Sequence, residues 1–168
     1  MRKLLIGLAA LMLCFTSCSK DDDGPTPNVT ATDIVGVWNT VTVKNGLQVP
    51  SQYVEQVKNA ITSKFKENVV IQFNEGNKVI MGNQERDYSV ANHKVSISGL
   101  LVGEGNLSFD GYLDGDNLDL VLSQDECRKL IKDYLTTTTE ISEENANIAI
   151  KTINGSITLS LKKQTEKE

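Results

Sequence analysis

Apolar residues fall into three patterns along this chain. The first is one uncharged run at residues 4–15, preceded by Arg2 and Lys3. The second is alternation in short segments. Val69, Ile71 and Phe73 alternate with Val70 and Gln72; Val95 and Ile97 with Lys94, Ser96 and Ser98; Leu107, Phe109 and Leu113 with Ser108, Asp110 and Tyr112; and Leu118, Leu120 and Leu122 with Asn117 and Asp119. A period of two places one face in a core and the other in water, so these segments read as strands. Further strands are expected at 36–44, 78–81 and 86–90. A closing hairpin is expected in which Ile148 and Ile150 lead through Asn154-Gly155 to Ile157, Leu159 and Leu161, because Asn-Gly is the strongest two-residue hairpin signal.

The third pattern is helical spacing. Tyr53, Val54, Val57, Ala60, Ile61 and Phe65 recur at intervals of three and four, which predicts a helix over about 51–67 with Ser51 as its cap. Cys127, Leu130, Ile131, Tyr134 and Leu135 do the same over 123–136, where Ser123 and Glu126 fit a capping box. Residues 136–145 read as a polar loop, and the charged tail from Lys162 is expected to fray. Nine short strands and two helices describe a mainly β protein, an antiparallel barrel or sandwich. At 168 residues the prior is a single domain.

The run at 4–15 is too short to cross a bilayer, which takes about 20 residues, but with its basic start it suits a secretory leader. It ends in Phe15-Thr16-Ser17-Cys18. Small residues before a cysteine at that position resemble the lipobox of bacterial lipoproteins. The resemblance implies cleavage after residue 17, diacylation of the Cys18 thiol and usually acylation of the new amine. Two or three acyl chains give stable anchoring where one is marginal. The alternative is an ordinary secreted protein with a chance cysteine. Ser19, Lys20, Asp21, Asp22 and Asp23 follow directly and resemble the acidic export signal of Bacteroidetes surface lipoproteins, which implies the outer face of the outer membrane; the plainer reading is a solvated linker. The Pro-containing stretch up to residue 30 reads as an extended tether. The expected organisation is a removed leader at 1–17, a lipidated tether at 18–30, a domain at 31–163 and a tail at 164–168.

Gly36-Val37-Trp38 opens the first strand. It resembles the G-x-W motif of lipocalins and of lipocalin-like lipoproteins in Bacteroidetes. That resemblance favours the barrel and implies that Trp38 packs across its closed end. Lipocalins usually place a basic residue of the last strand over this Trp, and here only Lys162 or Lys163 is available. The helix at 51–67 stands where the family has a long loop, a position from which it caps or plugs the mouth.

Composition narrows the chemistry. The formal charge is −5, from 17 basic and 22 acidic residues, which argues against nucleic acid. One His excludes a His-rich metal centre. His93, beside Asn92, reads as a turn residue rather than a pocket ligand. Cys127 on an apolar helix face reads as a buried thiol. With Cys18 acylated and the leader gone, it has no disulfide partner. Ser108 lacks the glycines of a nucleophile elbow. Asp110, Asp114, Asp116 and Asp119 fail the EF-hand pattern at Leu118 and read as turn chemistry. Gly99, Gly103 and Gly105 lack dinucleotide spacing. Most aromatics fall on core phases, which disfavours a sugar-binding platform. No cofactor or enzyme activity is called for.

Two functions stay open. One is a non-enzymatic, lipid-anchored barrel binding a small apolar ligand among Trp38, Ile71, Phe73, Val95, Ile97, Phe109 and Leu120. The other is a barrel filled by its own side chains that binds an envelope protein as a complex component or inhibitor. The anchoring expectation is direct: Cys18→Ala is expected to move the protein from the membrane to the soluble fraction, and protease added to whole cells is expected to digest the native form.

Overall fold

The computed structural model describes residues 25–139 and 141–165. The expected leader, Cys18 and the expected export signal at 19–23 lie outside them. The expected mainly β, antiparallel lipocalin-like architecture is present, as a closed barrel in which each strand pairs with the next and the last with the first. The strands are β1 (Gly36–Asn45), β2 (Val70–Asn74), β3 (Lys78–Met81), β4 (Gln84–Ala91), β5 (Lys94–Ile97), β6 (Leu107–Asp114), β7 (Asn117–Leu122) and β8 (Ile157–Lys163). Three helices, α1 (Val54–Lys64), α2 (Gln124–Thr138) and α3 (Glu143–Lys151), complete it.

Alternation does what the sequence expects. Ile71, Phe73, Val95, Ile97, Phe109 and Leu120 are each buried and share one apolar core with Trp38. Turn chemistry sets the hairpins. Asn92 and His93 form the two-residue link between β4 and β5, both at positive φ (51° and 61°), the backbone of a primed turn that matches strand twist.

Six expectations are corrected. Among the described residues there are eight strands rather than nine, because Ile148 and Ile150 belong to α3. The spacing of two there fits a strand, and on a helix it puts the pair on different faces. The helix wins because Ala146, Ala149 and Ile153 are buried while Ile148 is 56% exposed, and because the Ser142 hydroxyl accepts the Asn145 N–H at 3.4 Å. The loop expected at 136–145 is correspondingly shorter. Ser51 caps nothing; it lies in a 3₁₀ turn, Ser51–Tyr53, ahead of α1. The capping box at Ser123 does not form. Glu126 instead accepts the Ser108 N–H at 3.0 Å, tying α2 to the start of β6. The tail is not frayed from Lys162: β8 runs through Lys163, and the Gln164 N–H donates to Val37 O at 2.8 Å. The tether is shorter than expected as well, since Asn28 N donates to Gly111 O at 2.9 Å.

The ends of the barrel differ. At one end the N-terminal segment lies across the opening, and Trp38, fully buried, donates its indole N–H to Ile34 O at 2.8 Å. Lys163 Nζ sits 5.3 Å from the Trp38 ring centroid, within cation–π range. Gly36 makes room for it: its φ is +140°, and a Cβ there would stand 3.0 Å from Lys163 Cε. At the other end β1 leads to α1, β7 to α2 and α3 to β8. The Phe65 ring, just after α1, meets Phe109 edge-on at 5.9 Å, so the segment leaving α1 reaches the apolar core from that end.

Substitution Trp38→Ala is expected to cost about 3–5 kcal/mol. Gly36→Ala is expected to cost about 1–3 kcal/mol, through positive φ and displacement of Lys163. Urea unfolding, followed by the fluorescence of the single Trp for Gly36→Ala and by circular dichroism for Trp38→Ala, measures both.

Candidate binding surface at the helical end of the barrel

The inward strand positions bring all seven expected pocket residues together, but as packing. Trp38, Ile71, Phe73, Val95, Ile97, Phe109 and Leu120 are each no more than 3% exposed. Phe73 stacks edge-on against Tyr88 at 5.0 Å. The Tyr88 hydroxyl donates to Asn74 O at 3.2 Å, and burial raises its pKa above the ordinary value. Ile71 lies at the edge of this packing. It borders a 240 Å³ pocket with Thr40, Phe65, Met81 and Leu159, and Lys64 and Lys66 also line it.

A second cleft of 370 Å³ adjoins the first, sharing Phe65 and Lys66. It lies between the far half of β1 and α1, lined by Val43, Ile61 and Phe65 together with Lys58, Lys66 and Glu67. The lining is mostly apolar with a positive excess. On the outer face of the same seam, Val70 is 43% exposed and Val41 51% exposed. Val41 stands two residues past Asn39, the β1 partner of Val70.

Local sequence explains how this surface arises. β1 has a bulge between Thr40 and Thr42 against β8, and a bulge bends a strand and re-aims its side chains. Asn68, at φ +59°, turns the chain from α1 into β2. None of Phe65, Lys66, Glu67 or Val41 stands out in the sequence as a site residue. Phe65 reads as helix core, and the others become neighbours only when β2 pairs with β1.

The candidate catalytic groups stay apart. His93 is exposed in its turn, its Nδ1 3.1 Å from Val29 O. Cys127 is buried; its thiol donates to Leu122 O at 3.3 Å, and burial pushes its pKa up to about 12. Ser108 shares a hydrogen bond with Ser96 at 2.7 Å across β5 and β6. Asp110 pairs with Lys94 at 2.6 Å, while Asp114 and Asp116 sit at the turn between β6 and β7. Among the described residues, no group of three or more His, Cys, Asp or Glu could hold a metal ion. No helix among them is long and apolar enough to cross a membrane. No family model, curated protein or solved structure matches the chain.

Burial of the Cys127 thiol has a pH signature. The folded pKa lies above the unfolded one, so this stabilisation is complete below about pH 9 and is lost as pH rises toward about 12. Unfolding midpoints are expected to fall across that window, and less steeply in Cys127→Ala. Native Cys127 is expected to react with a thiol reagent far more slowly than the denatured chain.

Proposed function

We propose that this chain is a non-enzymatic, lipid-anchored cell-envelope protein. Its lipocalin-like barrel is a rigid platform, and its helical end binds an envelope protein. The anchoring half of this reading rests on Phe15-Thr16-Ser17-Cys18 and on Ser19-Lys20-Asp21-Asp22-Asp23 after it, which favour an acylated Cys18, the outer membrane and the cell surface.

The binding half is carried by the packed interior. Large side chains such as Trp38, Phe73, Phe109 and Leu120 fill the volume that would otherwise receive a ligand, so recognition falls to the rim and outer face. There Val41 and Val70 leave apolar surface in water beside the lysine-rimmed cleft. Exposed apolar surface edged with polar groups is typical of protein contacts. A neutral, buried Cys127 thiol and a His93 held against a backbone carbonyl support a non-enzymatic role.

The 240 Å³ pocket favours a second reading, a small ligand with an apolar body lying against Ile71, Met81 and Leu159. Alone it is below the roughly 300–1,000 Å³ of most small-molecule sites, and the adjoining 370 Å³ cleft is within that range.

A photo-crosslinking residue in place of Val70 is expected to capture a defined envelope protein on living cells, whereas one in place of exposed Ser89 is not. Native mass spectrometry of protein purified from its host separates the readings. A retained small molecule, lost in Ile71→Trp, would put the second reading first.

A further inference from the structure

Strand β1 outruns its partner β2. The two pair only as far as Asn39↔Val70. Thr40 then makes the last exchange, donating to Val69 O at 2.9 Å and accepting from Asn68 N at 2.8 Å. On its other side β1 stays paired with β8 as far as Asn45↔Ile157. Residues 41–45 are therefore strand with a neighbouring strand on one edge only. On the open edge the Val43 N–H donates to the Glu67 Oε1 at 3.3 Å, where a ladder would supply a backbone carbonyl.

The chain fills a comparable overhang elsewhere. Strand β6 continues past Lys94↔Asp110, where its pairing with β5 ends. Asn28 occupies the freed edge: its side-chain amide accepts from Leu113 N at 2.7 Å and donates to Leu113 O at 2.9 Å, as a strand residue would. Gly111 permits this approach, since a Cβ there would stand 2.2 Å from Val29 Cγ1. The β1 overhang has a single carboxylate in place of such a strap. An open edge of this kind is a template for another strand unless it is blunted.

Its surroundings select the guest. The cleft beside it has an apolar floor of Val43, Ile61 and Phe65 and a rim of Lys58, Lys66 and Glu67, with Lys64 in the adjoining pocket. Lysines outnumber carboxylates here, on a chain of net charge −5.

We propose that the partner adds an extended, acidic segment to the open edge of β1, antiparallel to it and in line with β2. A guest carbonyl replaces Glu67 on the Val43 N–H. Alternate guest side chains meet the apolar floor, and its carboxylates meet the lysines. Main-chain bonds supply affinity in this mode and the alternate side chains supply specificity. The span of residues 41–45 is about 16 Å at 3.3 Å per residue. This deepens the protein-binding reading above and rests on it.

Two synthetic nine-residue peptides test it, one alternating Val and Thr with Glu, the other with Lys replacing Glu. In nuclear magnetic resonance spectra of the labelled protein, the acidic peptide is expected to shift the Val43 and Asn45 amides and slow their exchange. The basic peptide is expected to bind at least about tenfold more weakly. Val43→Pro removes the N–H aimed at Glu67, on the side away from β8, so it is expected to abolish binding while the protein stays folded. Should that variant fail to fold, Glu67→Ala serves instead, and by removing the competing carboxylate it is expected to tighten acidic-peptide binding severalfold. Absence of binding to the native protein, binding that survives Val43→Pro, shifts mapping to another edge, or equal affinity for both peptides would overturn strand addition. Capture at Val70 on cells separates the two levels. Capture that persists unchanged in Val43→Pro leaves the protein-binding reading standing and removes strand addition. Peptide binding without any capture on cells removes the protein-binding reading and the partner with it.

Discussion

The barrel depends on how β1 closes it. This strand must pair with β2 on one edge and β8 on the other, and the point where both partners meet is marked by Trp38, whose register neighbours are Ile71 and Lys163. The indole is out of water, its N–H is satisfied by Ile34 O, and its face is covered by Lys163. An unpaired indole N–H inside the barrel would carry a desolvation cost of about 1–3 kcal/mol. The residues 30–34 turn that presents the Ile34 carbonyl is therefore part of the closure. Gly36 completes it, because the lysine stem crosses where a side chain would stand.

A closed, well-packed barrel moves binding to its margins. Strand pairing consumes backbone groups wherever neighbours run alongside, so free groups arise only where one strand outlasts another. Two such places, on β6 and on β1, are treated differently. Asn28 reproduces a strand partner for Leu113, whereas Glu67 offers Val43 a side-chain acceptor. The helical end adds the apolar rings and lysines that make the β1 margin chemically distinctive. Rigidity of the core and availability of the rim are thus two results of the same closure.

Much of the fold is legible in residue order. Period-two segments such as those centred on Ile71, Val95, Phe109 and Leu120 became strands because alternation is the only pattern that buries one face of a sheet. The stripe from Cys127 to Leu135 became α2 for the corresponding reason at period 3.6. Residues 148–150 read as a strand because two residues spaced by two are too short a run to reveal a helical period; burial of Ala146 and Ala149 on one face of α3 decides them. Glu126 was legible as a capping residue, yet its carboxylate binds the Ser108 N–H, a group 18 positions away that no local pattern announces.

The candidate site was the least legible part. Phase puts Ile71, Phe73, Val95, Ile97, Phe109 and Leu120 on the inward faces of their strands, but phase does not say whether facing side chains meet or leave a space. That depends on barrel radius and on the Phe65 ring brought in by α1. By itself the sequence determined the strand faces, turns such as Asn92-His93 and the acidic balance, because local sterics and solvent preference act over a few residues. Only the tertiary structure decided that the barrel closes, that Lys163 rather than Lys162 covers Trp38, and that β1 is left with an open edge beside three lysines. Those outcomes follow from register between distant strands, where one residue of slip exchanges the buried and exposed faces.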